Sequence, residues 1–208
     1  TYSQRTRGAK DVIDQASGLL MEAIAALPAP ASGQPIRLAD FGAADGGTSK
    51  QAMHDAVVAI RARFPESQIV VTYTDLPSND YSALFKNMLG LADEPELSYL
   101  RQIPGVFVHA CGIGFHRQLF PDASLDLGFS ATAMHYISEK PCEITTHVHM
   151  VGAKGEERAA FAKRAEADWE NILLARAKEL RPGGRLVFLN FGIDEAGRYL
   201  GHTGEADM

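Results

Sequence analysis

Residues 36–49 read IRLADFGAADGGTS. The first six form an apolar, strand-like run whose acidic residue, Asp40, falls at its carboxyl end. Gly42, Gly46 and Gly47 then bend the chain. Thr48 or Ser49 can cap an amphipathic helix whose inner face would carry Met53, Ala56, Val57 and Ile60. A strand, a glycine-rich turn and a helix N-terminus in that order make a cradle for a polar small molecule. The glycines do not follow the G-x-G-x-x-G order of a nicotinamide-binding turn. The residues after Gly47 are Thr48, Ser49 and Lys50, which is not a phosphate-binding lysine motif. The glycines alone are equally compatible with a tight turn that binds nothing, so the choice falls to what lies downstream.

The next decisive stretch is residues 69–74, IVVTYT, β-branched and almost wholly apolar or Thr, the pattern of a strand buried on both faces of a parallel sheet. It ends at Asp75, where a carboxylate can accept two charge-assisted hydrogen bonds from a ribose diol. Working outward, residues 10–27 carry Ile13, Ala16, Leu20, Ile24 and Leu27 on one helical face. Asn79 or Asp80 starts a short helix with Leu84, Phe85 and Met88 inside. Residues 106–110 and 125–130 read as the third and fourth strands. Residues 156–180 form the longest helix, with an expected core face of Ala160, Phe161, Trp169, Ile172, Leu173 and Ala177. Arg181-Pro182-Gly183-Gly184 is a stop-and-turn signal, and residues 185–191 are the fifth strand. Strands alternating with helices indicate an α/β fold with a mostly parallel sheet and helices on both faces. Ligands of such sheets sit beyond the carboxyl ends of the strands, where Asp40, Asp75 and Ser130 are placed.

Composition narrows the function classes. A chain of 208 residues suits one domain and can bury roughly 70% of its unfolded surface without staples. The net charge of -6 and the lack of any long Lys/Arg run argue against nucleic acid as a partner. No apolar run is long enough to span a bilayer. The two cysteines, Cys111 and Cys142, have neither metal-ligand spacing nor the number for a disulfide framework, and reduced, cytoplasmic thiols are expected. The first residue is Thr1, so the natural chain can begin earlier.

Four blocks carry a resemblance: DFGAADGGTS, TDLPSNDYSALFKNM, FHRQLFPDASLDLGFSATAMHYISEKP and ARAKELRPGGRLVFLNF. In this order, and over most of the chain, they resemble the SABATH family of S-adenosylmethionine-dependent carboxyl methyltransferases, which includes salicylic acid, jasmonic acid and caffeine-pathway enzymes. The resemblance implies a Rossmann-like class I methyltransferase domain over residues 1–208, with S-adenosyl-L-methionine as methyl donor and S-adenosyl-L-homocysteine as product. It places Asp40 and Gly42 at the start of the cofactor loop, with Ala43 and Thr48 where the family has cofactor-contacting Cys and Asn. Asp75 would hold the ribose hydroxyls and Leu76 would pack on the adenine. Gly114 and Phe115 match a Ser-Phe pair beside the adenine, Ser130 lies near the methionine portion, and Tyr2 matches an N-terminal Tyr that touches the cofactor. On the acceptor side, an aromatic, a His or Met three residues on, and a Trp fall on Thr132, His135 and Tyr136. A carboxylate-gripping Gln falls on Ala9. No catalytic base is implied; His135 and Tyr136 are positioning candidates.

The implied reaction is methyl ester formation on a small-molecule carboxylic acid. The alternatives are methylation of a nitrogen or a phenol oxygen, with His135 available as base, and a truncated domain that binds the cofactor without turnover. A homodimer is the assembly to consider, and low aromatic content with few plant-like details favours a microbial member. The family has a helical cap and two further strands after the fifth strand, whereas the sequence here ends at Met208; a fragment of a longer protein is expected, with a shortened, open-sited member as the alternative. His147 and His149 are a two-residue chelating pattern with no third ligand nearby, so no metal site is expected. Cys111 reads as a core thiol, Trp169 as core or interface, and His116 as a residue without a role.

Overall fold

Parallel strands cannot be joined by tight turns, so each crossover carries a helix or a long loop over the sheet. The computed structural model describes residues 12–145 and 147–198. Five strands, β1 (Ile36–Phe41), β2 (Ile69–Thr74), β3 (Val106–Cys111), β4 (Leu125–Ala131) and β5 (Leu180–Leu189), form one sheet in the order β3-β2-β1-β4-β5. Every pairing is parallel. The helices are α1 (Ser17–Ala25), α2 (Lys50–Arg63), α3 (Tyr81–Met88), the single turn α4 (Tyr99–Gln102) and the long α5 (Gly155–Glu179). From β1 the chain steps outward through β2 to β3, then returns to the other side of β1 as β4. That reversal is the switch point at which open parallel sheets hold ligands. Phe41 lies opposite Thr74, and Thr74 opposite Cys111, so three strands end level. Gly42, Asp75 and Gly112 therefore leave the sheet side by side.

Alternation along β1 divides the core in two. Ile36 and Leu38 pack with Leu20 and Ile24 of α1 and with Met53, Val57 and Ile60 of α2. Ala39 and Phe41 face the other way, onto Leu125, Phe115 and Ile172 of α5. The sheet is thus covered by helices on both sides, an α/β Rossmann-like fold. Among the described residues no helix is long and apolar enough to cross a membrane.

Several local expectations change. Phe85 is partly exposed, and Asn87 takes the buried place on α3, donating to the Asp45 carbonyl at 2.8 Å. Arg181-Pro182-Gly183-Gly184 does not separate helix from strand. Leu180 already pairs with Leu125, and the four residues bulge out before Arg185 pairs with Leu127. A Pro and two glycines suit a bulge as well as a turn, and pairing with β4 on both sides decides. The largest change is in α5. Its buried residues are Asp168, Ile172, Arg176 and Glu179, while Trp169, Leu173 and Ala177 are exposed. Apolar periodicity misplaced this face because three of its four buried residues are charged.

Candidate active site

The turn after β1 is built around Asp40. Its carboxylate is 2% exposed and accepts a 2.5 Å hydrogen bond from the Ser49 hydroxyl. Ser49 occupies the N-cap position of α2, yet its side chain makes no capping bond because it is turned to Asp40. Burial, aided by the nearby Asp75 charge and opposed by the Ser49 bond, raises the Asp40 pKa from 3.8 to about 7. Gly42 (φ +77°) has no room for a side chain: a Cβ there would lie 2.3 Å from the Ala133 Cβ. Lys50, the first residue of α2, is turned away, and its ammonium holds the carbonyls of Asp93 and Glu94.

Asp75 links this turn to the next loop. One carboxylate oxygen accepts the Ala44 amide at 2.6 Å and the other its neighbour, the Leu76 amide, at 2.7 Å. Asn79 donates to the Ala44 carbonyl at 2.7 Å, and the Tyr81 hydroxyl bonds the Asp75 carbonyl at 3.0 Å. Each carboxylate oxygen keeps a free lone pair to offer a ligand. Ala44 (φ +49°) and Thr132 (φ +53°) are held in the left-handed region. For a β-branched Thr this is strain of the kind that collects at binding sites.

Beyond the carboxyl ends of the strands these segments enclose a cavity of about 490 Å³. It is lined by Asp40, Gly42, Ala43 and Thr48 from the first turn, by Asp75 and Leu76, by Gly114 and Phe115, and by Thr132 and Tyr136. Ten of the positions singled out in the sequence meet there. Ser130 does not: it is fully buried, and its hydroxyl donates to the Phe41 carbonyl at 2.9 Å, tying β4 to β1. Tyr2 and Ala9 lie outside the described residues. The sequence reading missed Ile13, Ser49, Asn79, His116 and Ser138, which also line the cavity. His116 is the clearest omission, since its Nε2 is 2.9 Å from the Tyr136 carbonyl and joins the two loops at the mouth.

His135 faces elsewhere. It lines a second cavity of about 290 Å³ with Met134, Trp169, Asn190 and Phe191. Its ring packs at a tilt against Tyr136 and Phe191, with centroids 4.5 and 4.9 Å away. Its Nδ1 is buried without a hydrogen-bond partner, and burial lowers its pKa below the ordinary 6.5. Tyr136 is 61% exposed and lines both cavities, standing on the ridge between them. Behind this loop Asp168 accepts the Ser138 amide at 2.7 Å and its hydroxyl at 2.8 Å. Burial alone would raise the Asp168 pKa; the Ser138 bonds, with His116 and Arg164 nearby, bring it below the usual range. The Nδ1 of His147 is engaged by the His149 backbone, and among the described residues no three His, Cys, Asp or Glu side chains are grouped to hold a metal ion.

The comparisons with known proteins bear on this geometry. The model of the family described as SAM-dependent carboxyl methyltransferases matches residues 1–205. The chain belongs to this family. Among curated relatives it is 25% identical to loganic acid O-methyltransferase of Catharanthus roseus, over 98% of this chain and 57% of that protein. It is 27% identical to indole-3-acetate O-methyltransferase 1 of Arabidopsis thaliana, over 80% of this chain and 47% of that protein. It is 30% identical to O-methyltransferase acrG of Aspergillus aculeatus, over 83% and 42%. The chain spans about half the length of the curated relatives it matches. A solved structure, loganic acid methyltransferase with SAH, shares the fold with a TM-score of 0.77 at 24% identity, covering 99% of this chain and 60% of that one.

The cavity suits the family's cofactor on its own terms. It has a carboxylate pinned to offer two acceptors, a buried acid held by the Ser49 hydroxyl, and a glycine where an added Cβ would press on Ala133 across the cradle. Gly42→Ala is accordingly expected to lower the unfolding free energy by about 2–4 kcal/mol, from left-handed strain plus overpacking. It should also weaken binding of S-adenosylhomocysteine more than tenfold. Urea unfolding and calorimetry read the two effects; an unchanged affinity would show that the Gly42–Ala133 contact does not shape the site.

Proposed function

We propose that this chain forms the S-adenosylmethionine site of an enzyme that methylates the carboxylate of a small-molecule acid. The observation that carries the reading is that one cavity at the switch point brings Asp40, Asp75, Phe115 and Tyr136 together. In this reading Asp75 accepts the ribose hydroxyls, Leu76 and Phe115 flank the adenine, and Asp40 faces the ammonium of the methionine portion. Gly42, Ala43, Thr48 and Gly114 complete the walls, and Thr132 and Tyr136 line the approach of the acceptor.

When bound, the cofactor supplies a methyl carbon made electrophilic by a cationic sulfur. A carboxylic acid with a pKa near 4 is already ionised at pH 7, so the chain need not remove a proton. Its residues have to hold two reactants in line and exclude water, which can lower a barrier by about 7–11 kcal/mol. The pinning of Asp75 and the packing of Tyr136 against the His135 ring serve that positioning. Methylation of a phenol or ring nitrogen is the second reading; it needs a base, and His135 lies in the adjoining cavity, not in the one that would hold the cofactor. Both cysteines are free thiols, which suits a reducing compartment, and we place the enzyme in the cytoplasm.

The test uses S-adenosylmethionine labelled in its methyl group and a panel of aromatic and aliphatic acids, phenols and heterocyclic amines. The expected product carries a methyl group released as methanol by mild base, the signature of an ester. A base-stable product would transfer the reading to phenol or nitrogen acceptors. Tight cofactor binding with no transfer to any acceptor would reduce the chain to a cofactor-binding domain.

A further inference from the structure

The most buried charges among the described residues lie on neither cavity. Arg176 and Glu179 of α5 are both 0% exposed. Nε and Nη2 of Arg176 grip the two Glu179 carboxylate oxygens, at 2.6 and 2.7 Å. Nη1 donates to the Phe115 carbonyl and Nη2 also to the Arg117 carbonyl, each at 2.9 Å. Glu179 in turn accepts the amides of Leu119, at 2.5 Å, and Phe120, at 3.1 Å. The guanidinium lies 4.5 Å over the ring of Phe41, and Phe120 meets the same ring edge-on at 5.9 Å.

We infer that the Arg176–Glu179 pair is the positioning element of the adenine-side wall of the cofactor site. This inference rests on the function proposed above and names residues that touch no ligand. The pair binds four backbone groups of one irregular segment, residues 115–120, whose first side chain, Phe115, lines the cavity. It presses that segment against Phe41, the residue just before the Gly42 turn. One side chain supplies only donors and the other only acceptors, so together they satisfy two carbonyls and two amides that secondary structure leaves unpaired. A planar fork reaching three partners at once is a property of Arg that Lys lacks. A pair that served stability alone could as well be apolar. This one is arranged around the backbone that aims Phe115.

The test measures S-adenosylhomocysteine binding by calorimetry at 15 °C, where each variant is first shown to be folded by circular dichroism. Arg176→Lys is expected to weaken binding about tenfold, and Glu179→Gln, the milder change, several-fold. The control is Asp126→Ala, at a position that lines neither cavity, which leaves the Arg37 amide and the partly buried Arg181 without their carboxylate. It should lower the melting temperature and leave the affinity at the wild-type value. Folded Arg176 and Glu179 variants with wild-type affinity would overturn the inference. So would an Asp126 variant that lost affinity to the same degree, because the effect would then follow from lost stability alone. If Arg176→Lys does not fold, Glu179→Gln alone decides between these results. Wild-type protein that fails to bind S-adenosylhomocysteine would instead overturn the proposed function, and this inference with it.

Discussion

Asp75→Ala is expected to weaken S-adenosylhomocysteine binding by at least about 100-fold, the largest single loss in the protein. Two contributions add. A hydrogen bond to a charged group is worth about 1.5–3 kcal/mol, and a ribose diol would make two to this carboxylate. The same carboxylate also organises the cavity wall: its two oxygens hold the Ala44 and Leu76 amides, and Ala44 is in the left-handed region. Without Asp75 the Ala44 amide loses its acceptor, and the strained turn has one anchor fewer. Asp75→Asn separates the two contributions, because an amide oxygen can still accept one backbone bond but carries no charge. It should retain more stability than Asp75→Ala while losing most of the affinity. Calorimetry with S-adenosylhomocysteine beside urea unfolding reads both. An Asp75→Ala protein that binds within threefold of wild type would remove the ribose from this carboxylate and with it the orientation proposed for the cofactor.

The part of the cavity proposed for the cofactor was legible in the sequence as a cluster of residues because local rules govern it. A strand must end, a turn with φ near +77° needs Gly42, and an acid at the next strand's end meets it once parallel pairing sets the register. The part of the cavity proposed for the acceptor was less legible. His135 and Tyr136 are adjacent in sequence, yet Tyr136 lines both cavities and His135 only the second. That division depends on the irregular backbone after β4, where Thr132 takes a positive φ that no residue pattern announces. Ser130 looked like a site residue because it sits at a strand end, yet its side chain points into the sheet and bonds Phe41. The scaffold behind the site was hidden for another reason. Helical faces are read from apolar spacing, and α5 turns Asp168, Arg176 and Glu179 inward. The only sequence signal for that face was the spacing of 168, 172, 176 and 179 itself, which places three charges in line with Ile172.

Cofactor affinity should tighten as pH rises toward 7, and Asp40 is the reason. The folded, unliganded protein holds this carboxyl at a pKa of about 7 against 3.8 unfolded, with burial the main cause. The folded state therefore binds its proton more strongly than the unfolded chain does. The contribution of Asp40 to stability is complete below about pH 4 and is lost as pH rises from there to about 7. A shift of this size corresponds to about 4 kcal/mol at most. Asp168, whose pKa is lowered, acts in the opposite direction, so the effect is to be read as the difference between wild type and Asp40→Asn. That variant should match wild type in stability near pH 4 and exceed it near pH 7.5. A ligand ammonium beside Asp40 reverses the balance, because the ionised carboxylate then has a partner. Only the deprotonated fraction of the free protein is competent to bind in this way, and apparent affinity scales with that fraction. The dissociation constant of S-adenosylhomocysteine should thus fall roughly 20-fold between pH 5.5 and 7.5, with most of the change below 7. Asp40→Asn should flatten the profile and bind weakly throughout. The site would then hold a buried acid at the expense of apo stability, a trade common where function needs a buried charge. Affinity that is flat or strengthens toward acid in the wild type would place the ammonium away from Asp40.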